Sequence, residues 1–206
     1  MGKLVKLGLL GVAIGAGVFW WITTPKVWEP DALTGAKGDA DKGALVFAAA
    51  GCASCHAVKG SEGADKLALA GGQAFETDFG TFHAPNISQS TEHGIGDWSF
   101  ADLANAVSFG TSPDGQHYYP AFPYTTYENM EVSDLADLYA YLKTLPAVET
   151  PSLPHEVGFP FNIRRSLGGW KFLFAGKGWA LDGDLNEEET RGRYLVEAMG
   201  HCAECH

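Results

Sequence analysis

The sequence predicts an all-α fold, a few helices joined by long loops, and three observations carry that expectation. Leu135, Leu138, Tyr139, Leu142 and Leu145 fall at offsets of 0, 3, 4, 7 and 10, one face of a helix, and Pro146 stops the run. Phe100, Leu103, Ala104 and Val107 fall at 0, 3, 4 and 7 behind the capping box formed by Ser99 and Asp102. Near the N-terminus, Leu7 to Thr24 is an uncharged run of 18 residues, close to the shortest helix that spans a bilayer.

Taken in order, residues 1–24 read as a signal-anchor transmembrane helix. Lys3 and Lys6 precede the apolar run and Trp20 and Trp21 close it, which places the N-terminus in the cytoplasm and the tryptophans at the far interface. The small residues Gly15 and Gly17 are followed by Phe19, Trp20, Trp21 and Ile22, so a peptidase cut there would fall inside the apolar run, and the segment is expected to stay uncleaved. Residues 25–40 carry Pro, Gly and charge without period and read as a tether. A first domain follows over 41–146. It opens with a short Ala-rich helix, Asp41 to Gly51, continues as loop to Gly96, and contains the capped helix ending near Gly110. An aromatic loop with prolines 113, 120 and 123 comes next, and the last helix is capped by Ser133. Prolines 146, 151, 154 and 160 mark 147–180 as an interdomain segment. Residues 181–206 read as the incomplete start of a second domain, because "LVEAMGHCAECH" lies over "LVFAAAGCASCH" at an offset of 150.

A formal net charge of −11 excludes a general affinity for nucleic acid or for anionic lipid headgroups, which reward clustered Lys and Arg. All four cysteines, Cys52, Cys55, Cys202 and Cys205, stand in two Cys-x-x-Cys-His motifs completed by His56 and His206. That motif attaches c-type haem: two thiols reach the vinyl groups and the adjacent histidine reaches the iron. Two motifs in register, holding every cysteine of an exported chain, are a strong signal. The rival readings are a Cys₄ zinc site and a thioredoxin-like redox pair. The histidine after each pair counts against the first, and the lack of βαβ surroundings counts against the second.

A second axial ligand has few candidates. The methionines are Met1, Met130 and Met199. Met130 follows His56 by 74 residues, just before the last helix, and is placed to reach the iron's other face; its thioether would raise the potential. Met199 reads as core packing. Histidines 83, 93, 117, 155 and 201 read as loop or surface residues, with His117 the leading exception, able to replace Met130. Tyr118, Tyr119, Phe122, Tyr124 and Tyr127 are expected to form part of the haem's apolar wall, and the second ring N–H of His56 is expected to meet a carbonyl near Pro85.

The segments "GCASCH", "GGQAFETDFGTFHAPNIS", "GIGDWSFADLANAV", "SPDGQHYYPAFPY" and "DLADLYAYLKTLPAV" resemble, in that order, the first haem domain of the membrane-bound multihaem cytochrome c subunits of bacterial alcohol, gluconate and sorbitol dehydrogenases. "RGRYLVEAMGHCAECH" resembles the start of their second domain. The resemblance implies class I cytochrome c domains that pass single electrons from a catalytic subunit to a quinone or another respiratory carrier, on the periplasmic side of the bacterial inner membrane. By position it supports His56 and Met130 as axial ligands of the first haem and His206 as proximal ligand of the second. Relatives often carry Met where this chain has Phe122, and their chains continue beyond the second motif. One haem c is therefore expected in the complete domain, with the second site at Cys202, Cys205 and His206 incomplete. The reading from another class is a dihaem enzyme, a peroxidase or a thiosulfate-oxidising protein, with an exchangeable iron position.

Overall fold

The computed structural model describes residues 2–202. Helix α1 (Gly2–Ile22) is followed by α2 (Pro30–Leu33), α3 (Ala40–Ala49) and α4 (Cys52–His56). Strands β1 (Ala74–Thr77) and β2 (Gly80–His83) form a hairpin ahead of α5 (Phe100–Phe109), α6 (Tyr124–Tyr127) and α7 (Val132–Leu142). The chain then adds β3 (Glu156–Val157), α8 (Leu167–Phe174) and α9 (Glu187–Tyr194). The predicted second-motif residues Cys205 and His206 lie outside the described residues.

No residue of α1 is buried. Its 21 residues extend for about 32 Å at 1.5 Å per residue, matching a hydrocarbon core of about 30 Å. Among the described residues it is the helix long and apolar enough to cross a membrane.

The first domain is organised by α3 crossing α7. Asp39 caps α3, its carboxylate accepting the N–H groups of Asp41 and Lys42 at 2.9 and 3.2 Å. The Asp39 N–H in turn donates to the buried Asp137 carboxylate of α7 at 2.6 Å. The crossing is close because of glycine: a Cβ on Gly43 would overlap the Asp137 carbonyl oxygen, and one on Gly38 that of Ala136. Behind it Val46 and Phe47 pack with Leu135, Leu138 and Leu142, and α5 adds Leu103, Ala104 and Val107. The spacing-based helices are thus present, α5 with the expected start and α7 with a shifted one. Helix α7 begins at Val132, with Glu131 at the N-cap position making no side-chain capping bond; the expected cap, Ser133, lies inside the first turn, its hydroxyl donating to the Glu131 carboxylate at 3.4 Å. At α5 both bonds of the Ser99–Asp102 capping box are made.

Three expectations are corrected. The described fold is not all-α: β1 and β2 pair with Phe75 opposite Phe82, and β3 joins β2 with Thr81 opposite Glu156. Strands of two to four residues are too short for an alternating pattern to stand out in sequence. Second, residues 25–40 are no loose tether. Trp28 donates its backbone N–H to Asn105 Oδ1 at 2.8 Å and its indole N–H to Ser108 Oγ at 3.2 Å, and its ring lies 5.3 Å from that of Phe109. A tryptophan in an aqueous linker would leave a large apolar surface wet, so it docks. Third, residues 147–157 lie along the first domain: Asn86 Nδ2 donates to the carbonyls of Val148 and Thr150, both at 2.8 Å, and Asn86 N–H to Ser152 Oγ at 2.9 Å.

Helix α9 also packs onto the first domain. The Tyr194 hydroxyl accepts the N–H of Glu131 at 3.0 Å and donates to the Asp134 carboxylate, bridging the first turn of α7. A wide last turn, Leu195–Met199, buries Ala198 and Met199 in the same core, so Met199 packs as predicted.

Candidate functional site

The site grows from the break between α3 and α4. Gly51 adopts a left-handed conformation, φ 66°, which turns the chain and starts a single helical turn carrying Cys52, Cys55 and His56. Both thiols are free. Burial pushes the Cys52 thiol up to about 12 and raises that of Cys55 as well. Thiols held protonated are unlike a reactive redox pair, which needs a thiolate.

A clasp from residues 71–85 fixes this turn. His56 Nδ1 lies 2.9 Å from the Pro85 carbonyl oxygen, the contact expected from sequence. A carbonyl can only accept, so Nδ1 carries the proton and Nε2 keeps its lone pair for a metal. Burial lowers the His56 pKa, opposed by the Pro85 hydrogen bond, and the ring is neutral. The backbone carbonyl of His56 accepts the Gly71 N–H at 2.7 Å. Gln73 Nε2 donates to the carbonyls of Ser54 at 2.9 Å and Ala57 at 3.1 Å, closing the end of α4. Sequence reasoning missed Gly71 and Gln73; the Gly-Gly-Gln run 15 residues beyond His56 was the available signal.

Met130 is 3% exposed and belongs to the same apolar cluster as Cys52, Ala53, Leu69 and Ile95. The tyrosine wall divides. Phe122 and Tyr127 join the Met130 cluster, and the Tyr127 hydroxyl donates to the Ala50 carbonyl at 2.7 Å. Tyr119 turns instead toward Phe82 and His155 and donates to the Phe161 carbonyl at 3.2 Å, while Tyr124 lies under Gly110. His117 is buried with Nε2 donating to the Thr23 carbonyl at 3.0 Å. Burial lowers its pKa, so the ring is neutral and that nitrogen is committed to the end of α1 rather than to a metal. His83 and His93 sit beside Glu156 and Glu92 at 3.4 and 3.8 Å, and His155 Nδ1 accepts the His83 N–H at 3.1 Å.

The described part of the second motif lies against the first. The His201 ring stands edge-on to Tyr127 with centroids 6.1 Å apart, and its Nε2 is 3.7 Å from where a Cβ on Gly51 would sit. Cys202 is exposed, its thiol 3.5 Å from the Gly200 carbonyl.

Residues 40–146 match the Cytochrome c family. The chain belongs to the cytochrome c family. Over 206 residues it is 50% identical to a diheme cytochrome c-type protein of Cereibacter sphaeroides, covering all of this chain and 70% of that one. It is 38% identical over 181 residues to the fructose dehydrogenase cytochrome subunit of Gluconobacter japonicus, covering 86% of this chain and 36% of the relative. With the gluconate 2-dehydrogenase cytochrome c subunit of Pantoea cypripedii it shares 34% over 168 residues, 80% of this chain and 37% of that one. The chain thus spans about a third of these two dehydrogenase subunits.

A cytochrome c carries covalent haem c, and the residues present fit it: two free thiols and a neutral histidine on one helical turn, the histidine's lone pair fixed by a carbonyl behind it. When bound, the haem supplies one-electron redox chemistry. The protein orients the histidine through the Pro85 carbonyl, and as a cytochrome c it transfers electrons.

The clasp makes a prediction. A Cβ on Gly71, whose φ is 72°, would lie 2.5 Å from the Pro85 carbonyl oxygen. Gly71→Ala is expected to push that carbonyl off His56 and lower the basicity of the ligand. Haem attachment should persist while the reduction potential rises, measured by redox titration of purified protein. An unchanged potential would mean that the Pro85 contact does not tune the iron.

Proposed function

We propose that this cytochrome c is a membrane-tethered, periplasm-facing relay, taking single electrons from a dehydrogenase catalytic subunit and passing them to a quinone or another respiratory carrier. The observation that carries the reading is the His56 site: a histidine held neutral and oriented by Pro85 in a cytochrome c chain related to dehydrogenase cytochrome subunits. In this reading Cys52 and Cys55 attach the haem and His56 and Met130 are its axial ligands. Cys202, Cys205 and His206, the second Cys-x-x-Cys-His motif, would attach and ligate a second haem. The match of the whole of this chain to 70% of a diheme protein supports a second haem, and His201, just before that motif, lies against Tyr127. Helix α1 is the tether, with its N-terminus in the cytoplasm of a bacterial inner membrane.

The test is purification of the full chain from its native membranes with whatever binds it, followed by addition of fructose, gluconate or ethanol under exclusion of oxygen. We expect a c-type spectrum that becomes reduced on addition of one of these substrates. It should reduce only when a catalytic subunit has copurified. Peroxide turnover by the isolated chain, or substrate-independent behaviour of a preparation that retains a dehydrogenase, would overturn the relay.

A further inference from the structure

Residues 157–181 contain Arg164, Arg165, Lys171 and Lys177 and no Asp or Glu, in a chain whose net charge is −11. A basic, aromatic-rich stretch of this kind ordinarily shows its charges to water and packs its rings inward. Here the arrangement is reversed. Lys171 of α8 turns inward, donating to the carbonyls of Phe109 at 2.6 Å and Gly110 at 2.8 Å, the open C-terminal end of α5. Arg164 donates to the His117 carbonyl at 2.8 Å. Arg165 donates to the Trp20 carbonyl and to Thr23 Oγ1, both at 2.8 Å, with its guanidinium 4.1 Å above the Trp20 ring. The apolar side chains face out: Phe172, Leu173 and Phe174 are 62%, 63% and 52% exposed.

The position of this face decides what covers it. Gly168 of α8 is buried directly on Thr23, the residue after α1, where a Cβ would come within 2.5 Å of the Thr23 Cα. Together with the Arg165 contacts this locks α8 to the level of Trp20 and Trp21, residues suited to a membrane interface. The exposed apolar residues of α8 therefore belong to a helix docked on the end of α1, whose own apolar residues are exposed. Phe159 and Phe161, 81% and 48% exposed, extend the same apolar segment, and the Lys177 ammonium stands 5.6 Å from the Phe174 ring centroid, an apolar stem with a charged head of the kind that suits a headgroup boundary.

We propose that α8 is an interfacial foot, lying in the boundary between headgroups and acyl chains and setting the height and tilt of the haem domain above the membrane. The occupant of its outer face is the bilayer itself, as for amphipathic helices that lie in the interface. This rests on the reading of α1 as a membrane span.

The experiment uses full-length, haem-loaded protein in vesicles of phosphatidylethanolamine and phosphatidylglycerol. The photocrosslinker p-benzoylphenylalanine is placed singly at Ile14 in α1, at Leu173 in α8 and at Leu45, an exposed position on α3. After illumination, lipid adducts are quantified by mass spectrometry. We expect adducts at positions 14 and 173, each several-fold above position 45. Adducts at 14 with background at 173 would overturn the foot while leaving the span intact. Crosslinks from 173 to protein would also overturn it, assigning the face to a second copy or a partner subunit. Background at both 14 and 173 would overturn the span and the foot together.

Discussion

Replacing Met130 with alanine is expected to remove the proposed distal ligand and open a hole in the core at once. Met130 is almost fully buried among Leu69, Ile95, Tyr127 and Leu135, and truncation of a buried methionine to alanine costs about 2–5 kcal/mol. Loss of the thioether should convert a low-spin visible spectrum to a high-spin one, let exogenous ligands such as cyanide bind, and lower the reduction potential. The two effects separate with Met130→Leu, which fills nearly the same volume at a cost of less than about 1.5 kcal/mol but cannot ligate iron. If the leucine variant keeps the low-spin spectrum and the wild-type potential, Met130 is only a packing residue. If it folds normally with the spectrum of the alanine variant, the ligand assignment stands.

The second large effect falls at the helix crossing. Gly43→Ala would drive a methyl group into the Asp137 carbonyl and to 2.7 Å from the Tyr141 Cβ. Alanine favours an exposed helix over glycine by about 1 kcal/mol, but forced separation of packed helices typically costs about 1–3 kcal/mol and the obstacle here is rigid backbone. We expect a net loss of about 2 kcal/mol, read as a lower denaturant midpoint. Gly192→Ala in α9, where an added Cβ meets nothing within 4 Å, supplies the contrast and should be neutral or slightly stabilising. A neutral Gly43→Ala would show that α3 and α7 do not cross this closely.

What could be read in the sequence was local. The helices α5 and α7 announce themselves by period and by a cap, and the cysteine motif names its own histidine, so even the Pro85 contact could be anticipated from the need of such a histidine for an acceptor. What could not be read was made across distance. Gln73 holds α4 by two carbonyls that carry no side-chain signature. Trp28 looked like part of a linker because its partners, Asn105 and Ser108, stand 77 and 80 residues away. His117 looked like a rival ligand until Thr23, 94 residues earlier, was seen to hold it. The α8 segment read as an interdomain connection, and only tertiary contacts show Arg164, Arg165 and Lys171 turned inward.

The clasp around α4 also sets an order of events during maturation. Residues 52–85 span only about thirty positions, so the loop that joins His56 to Pro85 closes at small entropic cost. The crossing of α3 with α7 joins residues nearly a hundred positions apart, as the Asp39–Asp137 bond shows, and contacts of such separation form slowly. A folding chain can therefore preset His56 against Pro85 before Met130 and α7 are in place. The time available for attaching the cofactor before the crossing closes is then the time α7 takes to arrive.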